Sequence, residues 1–125
     1  MIMKTRIIAL GLVGIALSAL AADFAGIGVV IIDRPSDDKP LRTGTNYPGS
    51  PADRAGVTTN GFLISVDGTN VVSMSLSQSS SLVRGAVGTF VTLKVADSQM
   101  SATNKFTVKR SRMHFADNKI EFTDQ

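Results

Sequence analysis

From residue 22 onward, turn-forming residues interrupt the chain so often that only short elements fit between them. Gly26 and Gly28 open the first apolar run, residues 34–40 read RPSDDKP, and Pro48-Gly49-Ser50-Pro51 breaks the chain again. Gly56, Asp67-Gly68 and the polar stretch 97–104 follow. Proline fixes φ and removes a donor, glycine admits left-handed backbone, and Asp-Gly closes tight turns. The runs between these breaks are 25–33 (AGIGVVIID), 41–47, 62–66 (FLISV), 69–72, 89–96 (TFVTLKVA) and 105–110 (KFTVKR). Their length, β-branching and alternation are those of strands, and the last two pair as a hairpin.

Two segments read as helices. Ser50 caps a short one, with Pro51 at its first position, 52–55 as its body and Gly56 as its end. Residues 73–84 form the second, with Ser75 as cap, Gly85 as stop and Leu76, Leu82 and Val83 as the apolar stripe. Residues from His114 onward show no clear pattern, so 113–125 read as a C-terminal tail. The fold class expected is α+β: a small, partly open β-barrel or sandwich of five to six strands with two helices.

Residues 1–21 read as a secretory signal peptide. Lys4 and Arg6 form a basic start, residues 7–20 carry no charge, and Ala19-Leu20-Ala21 fits the small-x-small cleavage rule, with the cut before Ala22. An apolar run of this length falls short of the roughly 20 residues that span a bilayer, so no stable membrane span is expected after cleavage. The domain, 22–112, is thereby expected outside the cytoplasm, periplasmic or secreted. The leader also explains most of the formal charge of +3. Without its two basic residues, eleven basic face ten acidic ones. A near-neutral domain has no electrostatic case for nucleic acid.

Catalytic chemistry finds no constellation. The chain has no cysteine and a single histidine, His114, in the expected tail. That removes thiol nucleophiles, disulfides and His–Cys metal sites, so neither a metal nor another cofactor is expected. No motif marks a serine with a positioned base, so no catalytic residue is assigned and the protein reads as a non-enzyme. The run Lys109-Arg110-Ser111-Arg112 reads as a solvated strand end.

The order of these motifs resembles a PDZ domain, above all that of bacterial carboxy-terminal processing (tail-specific) proteases and related exported proteases. The residues that carry the resemblance are Gly26-Ile27-Gly28-Val29, the stretch from Gly49-Ser50-Pro51-Ala52 to Ala55-Gly56-Val57, Ile64-Ser65-Val66-Asp67-Gly68, and Leu82-Val83-Arg84-Gly85 followed by Gly88-Thr89. The resemblance runs over residues 25–112 and does not extend to a protease domain. The sequence departs from that family at Gly61-Phe62, where Gly-Asp is usual, and at Ser79 and Ser80, where the helix is usually apolar.

The resemblance implies a stand-alone module that binds C-terminal or extended peptides by strand addition. Gly26, Ile27, Gly28 and Val29 would form the carboxylate-binding loop, with backbone amides pointed at one anion. Val30, Ile31, Leu76, Ser79, Leu82 and Val83 would line the peptide groove. The partners implied are peptide or protein C-termini and, for an adaptor, an envelope protease. Two other readings stay open: a structural interaction domain whose groove is empty or filled by its own residues 115–125, and a relic of a carboxy-terminal processing protease.

Overall fold

The computed structural model describes residues 24–123, so the expected leader and its cleavage site lie outside the described residues. Nine strands and two helices follow in the order β1 (Phe24–Gly26), β2 (Val29–Ile32), β3 (Arg42–Asn46), α1 (Pro51–Ala55), β4 (Phe62–Val66), β5 (Thr69–Asn70), α2 (Leu76–Val83), β6 (Phe90–Ala96), β7 (Thr103–Lys109), β8 (Ser111–Ala116) and β9 (Lys119–Thr123). They form two antiparallel sheets rather than a closed barrel. The larger runs β2-β3-β4-β6-β7, with β5 paired to β4, and the smaller runs β1-β8-β9.

Burial follows the alternation of the strands. Val91, Leu93 and Val95 of β6 point inward and are fully buried, while Phe90 points outward. They join Ile27, Ala52, Val57, Leu63, Val66, Val71, Val83 and Val108 in one core. Each β-branched residue suits a pleated surface packed on one face, and burial of such side chains is worth about 1.5–3 kcal/mol apiece.

Helix α1 forms where its caps dictate. The Ser50 side chain accepts from the Asp53 amide, Pro51 occupies the first turn, and Gly56 closes the end in the left-handed region. In α2, Ser75 and Gln78 make a reciprocal capping box. The helix starts later than the expected residue 73 because Val71 and Met74 are held in a turn, Met74 N–H donating to Val71 O. It ends at Arg84, which is extended, so Gly85 is not a left-handed stop.

Three other expectations need correction. The run 25–33 is not one strand: it breaks at Ile27–Gly28, where Gly28 takes φ +83°. The run 69–72 pairs only over Thr69–Asn70. The segment expected as a tail, 113–125, is a hairpin through Thr123. Arg112 faces Thr123 and Ala116 faces Lys119, and Asp117 and Asn118 both take positive φ in the turn between them. Two positive φ values are what a two-residue hairpin turn needs, here supplied by Asp-Asn instead of a glycine pair.

Candidate functional site

The loop between β1 and β2 is set by its carbonyls. Ile27 O accepts from Ala52 N–H at 2.8 Å and Gly28 O accepts from Tyr47 N–H at 2.9 Å. Across a planar trans peptide the next N–H points opposite to the carbonyl, and no peptide bond here is cis. The Gly28 amide therefore points away from α1, and the Val29 amide points away from β3 toward the outer edge of β2. Among the described residues the Ile27 and Gly28 amides donate no backbone hydrogen bond. Successive amides turned to one side at a glycine are the geometry from which an anion nest can be built.

Gly28 is needed for two reasons. Its φ of +83° is strained for other residues, and a Cβ there would stand 2.3 Å from the Ser50 Cβ. Tyr47 and Phe122 of β9 pack beside it, ring centroids 6.4 Å apart. The smaller sheet thus backs the loop, with Met113 of β8 lying over Gly26.

β2 is a terminal strand of its sheet, paired with β3 only. Helix α2 packs against β2 and β4, so helix and open edge lie side by side. The hairpin of residues 111–123 pairs with β1 and with itself. Through Thr123 it does not occupy the β2 edge, which removes the self-filled groove for those residues.

A buried arginine holds the C-terminal end of α2, and a half-buried one holds the segment that leads into the helix. Arg110 is 7% exposed and donates to Val83 O at 2.9 Å, Leu82 O at 3.2 Å, Thr89 Oγ1 at 2.8 Å and Phe90 O at 3.2 Å. A cation on the carbonyl end of a helix is favourable both as donor and as charge. Its guanidinium would lie 2.8 Å from a Cβ on Gly85, so that glycine makes room for the arginine. The expected solvated strand end at Lys109–Arg112 is corrected here: Arg110 and Ser111 are buried. At the other end, Arg34 donates to Lys39 O at 3.0 Å, to Val72 O at 2.6 Å and to Met74 O.

The expected groove residues divide by face. Val29 and Ile31 pack against the core beside α2. Val30 lies with Ile32 over Gly44, on the other face of β2, as strand alternation requires. On α2, Leu76, Ser79, Ser80 and Val83 form the inward stripe. Ser79 is 0% exposed, and its hydroxyl has no partner among the described residues. Val83 is buried in the core, whereas Leu82 is 36% exposed. Ile27 is fully buried in the core, backbone included, and of the four loop residues only Val29 is part-exposed.

Arg84 was not singled out as a site residue. Its Cγ comes to 4.0 Å of a Cβ placed on Gly26, beside the loop. Burial pushes its pKa below the usual arginine value, yet a guanidinium stays charged near neutral pH. Among the described residues it makes no ion pair. The signal that finds Arg84 is its place one residue beyond the helix stripe, legible only once the helix end is known.

The described residues contain no group of three or more His, Cys, Asp or Glu able to hold a metal. No described helix is long and apolar enough to cross a membrane.

Residues 45–97 match the PDZ domain family. The chain is similar to the "Probable CtpA-like serine protease" of Staphylococcus haemolyticus, 33% identical over 76% of this chain and 18% of that protein. It is also similar to the carboxy-terminal processing protease CtpA of Bacillus subtilis, 32% identical over 61% of this chain and 16% of that protein. Among solved structures, the photosystem II D1 C-terminal processing protease superposes with TM-score 0.63 at 29% identity, covering 69% of this chain and 22% of that one. The PDZ domain of the Vibrio cholerae carboxy-terminal protease, solved in complex with peptide, superposes with TM-score 0.64 at 23% identity over 74% of this chain and 99% of that domain. The chain spans 16–22% of the length of the curated relatives it matches.

Proposed function

Because the chain carries a PDZ domain of the carboxyl-terminal processing protease type, we propose that it binds the C-terminal end of an extended peptide and acts by binding, not catalysis. The observation that carries this reading is the pair of outward amides at Gly28 and Val29, set at the start of the unpaired β2 edge. The peptide carboxylate sits in the nest, and its backbone continues β2 as an added strand beside α2. Arg84 supplies a full positive charge next to the nest. Val29, Ile31 and the exposed Leu82 make the adjoining surface aliphatic, so an apolar last residue fits. Ser80 and Leu76 face the residues before it, and neither carries a charge, so upstream selection is weak. The peptide-bound Vibrio cholerae domain of like fold supports this reading.

Export belongs to the same proposal. The leader 1–21 takes the chain out of the cytoplasm and is removed, so N-terminal sequencing of the exported protein is expected to begin at Ala22. A mature protein beginning at Met1 overturns that part alone.

The central test is calorimetric titration of the chain with a peptide ending in valine, as free acid and as amide. The amide is expected to bind more weakly by about 1.5–3 kcal/mol, the scale of hydrogen bonds to a charged group. Equal affinity for the two forms would show the loop to be a structural turn.

A further inference from the structure

The outer face of β6 and β7 carries a cationic patch that the peptide groove does not use. The register sets Phe90 opposite Lys109, Thr92 opposite Thr107 and Lys94 opposite Lys105. Val91, Leu93, Val95 and Val108 are buried, so by alternation all six of these side chains share the outward face. The Thr92 and Thr107 hydroxyls bond each other at 2.9 Å. Lys94 and Lys105 are two like charges directly opposite, an arrangement that works against the sheet. Lys94, Lys105 and Lys109 make no ion pair among the described residues. Asp67 lies at the β4–β5 turn, and its Oδ1 is engaged by the Thr92 amide. Asp97, at the end of β6, is engaged by Ser101 and Gln99.

Two further features share this face. A shallow depression of about 320 Å³ lies beside the lysine pair, lined by Ser65, Asn70, Thr92, Lys94 and Lys105 among others. Phe90 is 61% exposed at the far end, the most exposed of the large apolar side chains described. With i to i+2 steps of about 6.8 Å, the lysines are spread over roughly 14 Å of β7. Charge spread along a flat face, with one projecting aromatic, suits a broad anionic surface better than one small ligand.

We propose that this face docks the domain on an anionic phospholipid surface, with Lys94, Lys105 and Lys109 among the headgroups and Phe90 at the acyl boundary. Basic residues gain from anionic headgroups, and an aromatic or aliphatic side chain beside them anchors at the interface. The apolar run 7–20 supplies the reason for choosing a membrane over an acidic protein: it directs the chain to a bilayer. Once the leader is removed, the lysine face would keep the domain there. β2 and β7 are opposite edges of the sheet, so the peptide edge stays free while this face is in contact.

The test is co-sedimentation of the exported protein, its leader removed, with vesicles of phosphatidylcholine alone and of equimolar phosphatidylcholine and phosphatidylglycerol. The wild-type chain is expected to prefer the anionic vesicles. K94Q/K105Q should weaken that partitioning by about 30-fold, from about fivefold per lysine, while K39Q/K119Q, with the same charge change elsewhere, leaves it unaltered. Salt near 1 M, where the screening length is about 3 Å, should remove the preference. Since K94Q/K105Q relieves a like-charge pair, its melting temperature should equal or exceed that of the wild type, so lost binding is not unfolding. Wild-type partitioning in K94Q/K105Q, or no preference for anionic vesicles, overturns the proposal. Binding of polyglutamate without vesicle preference overturns it in favour of an acidic protein partner. Titration with the valine-ended peptide is unaffected by K94Q/K105Q, so a failure here leaves the groove reading standing.

Discussion

The two edges of the larger sheet are built in opposite ways. β2 reads VVII, with no charge along it, and α2 lies beside it. β7 reads TNKFTVK, with exposed Lys105 and Lys109 along it and α1 packed nearby. Lysines on an edge oppose pairing with another strand, because an incoming strand must bury or crowd them. A chain selected only against aggregation would guard both edges. Guarding β7 and leaving β2 plain is the pattern expected of a sheet that admits one added strand at one place, and under the proposed function that strand would begin at Gly28 and Val29.

The comparison breaks most severely at Gly28. Gly28→Val adds a Cβ into Ser50 and forces a branched residue to φ +83°, an expected cost of about 4 kcal/mol. Urea denaturation measures it, and peptide binding should vanish with it. A loss under 1 kcal/mol would mean that the loop can rearrange and that the nest is not rigidly held.

Arg110→Met removes the clamp that seats α2 next to the open edge. Four acceptors lose their donor, two of them the last carbonyls of the helix, so a loss of about 3 kcal/mol is expected. Hydrogen exchange should rise in α2 and β2 and not in β7. Uniform acceleration across both edges would show that Arg110 supports the whole core instead of the groove.

Exchanging the edges' chemistry sharpens the contrast at a smaller scale. Ile32→Lys places a guard on β2, where the residue is already 43% exposed, and should weaken peptide binding by about 1 kcal/mol with little change in stability. Lys105→Val with Lys109→Val strips β7 and should increase self-association in sedimentation velocity. If the stripped β7 stays monomeric, the lysines are not what protects it.

The smallest effect is acidic. Hydrogen bonds from the Ser101 backbone and side chain hold Asp97, in the turn before β7, below the ordinary carboxylate pKa. The Ser36 hydroxyl does the same for Asp38, in the loop after β2. A carboxyl with a lowered folded pKa adds stability above its unfolded value near 4, and that stability is lost as pH falls through the folded value. Both turns should therefore be unaltered from pH 7 to 5 and loosen below about pH 4, read by amide exchange at each. Asp38 is exposed and Asp97 part-exposed, so solvent screens both and the change is small.

Much of the fold was legible because its signals are local. Ser50, Pro51 and Gly56 define α1, Ser75 defines the start of α2, and the alternation of 89–96 sets which side of β6 is buried. The hairpin of 111–123 escaped because its turn is Asp117-Asn118 and its strands carry Arg112, His114 and Glu121 among apolar residues. His114 and Glu121 pair across it at 3.1 Å, which reads as disorder in a hydropathy pattern and as a cross-strand contact in space.

The candidate site divides in the same way. Gly26 to Val29 is singled out through the family resemblance, and of its glycines Gly28 takes the positive φ that other residues rarely adopt. Which α2 residues face β2 could not be placed from sequence, since Leu76, Ser79, Leu82 and Val83 are spread over about two turns and only packing decides among them. Val30 and Ile31 are adjacent, yet strand alternation sends them to opposite faces once β2 is paired with β3. Arg110 and Arg34 look like surface charges in sequence, and become clamps only because the fold brings unpaired carbonyls within about 3 Å of each. Local backbone preference belongs to the residues themselves. The partner of a long side chain depends on what the rest of the chain brings alongside it, and that is settled by tertiary packing alone.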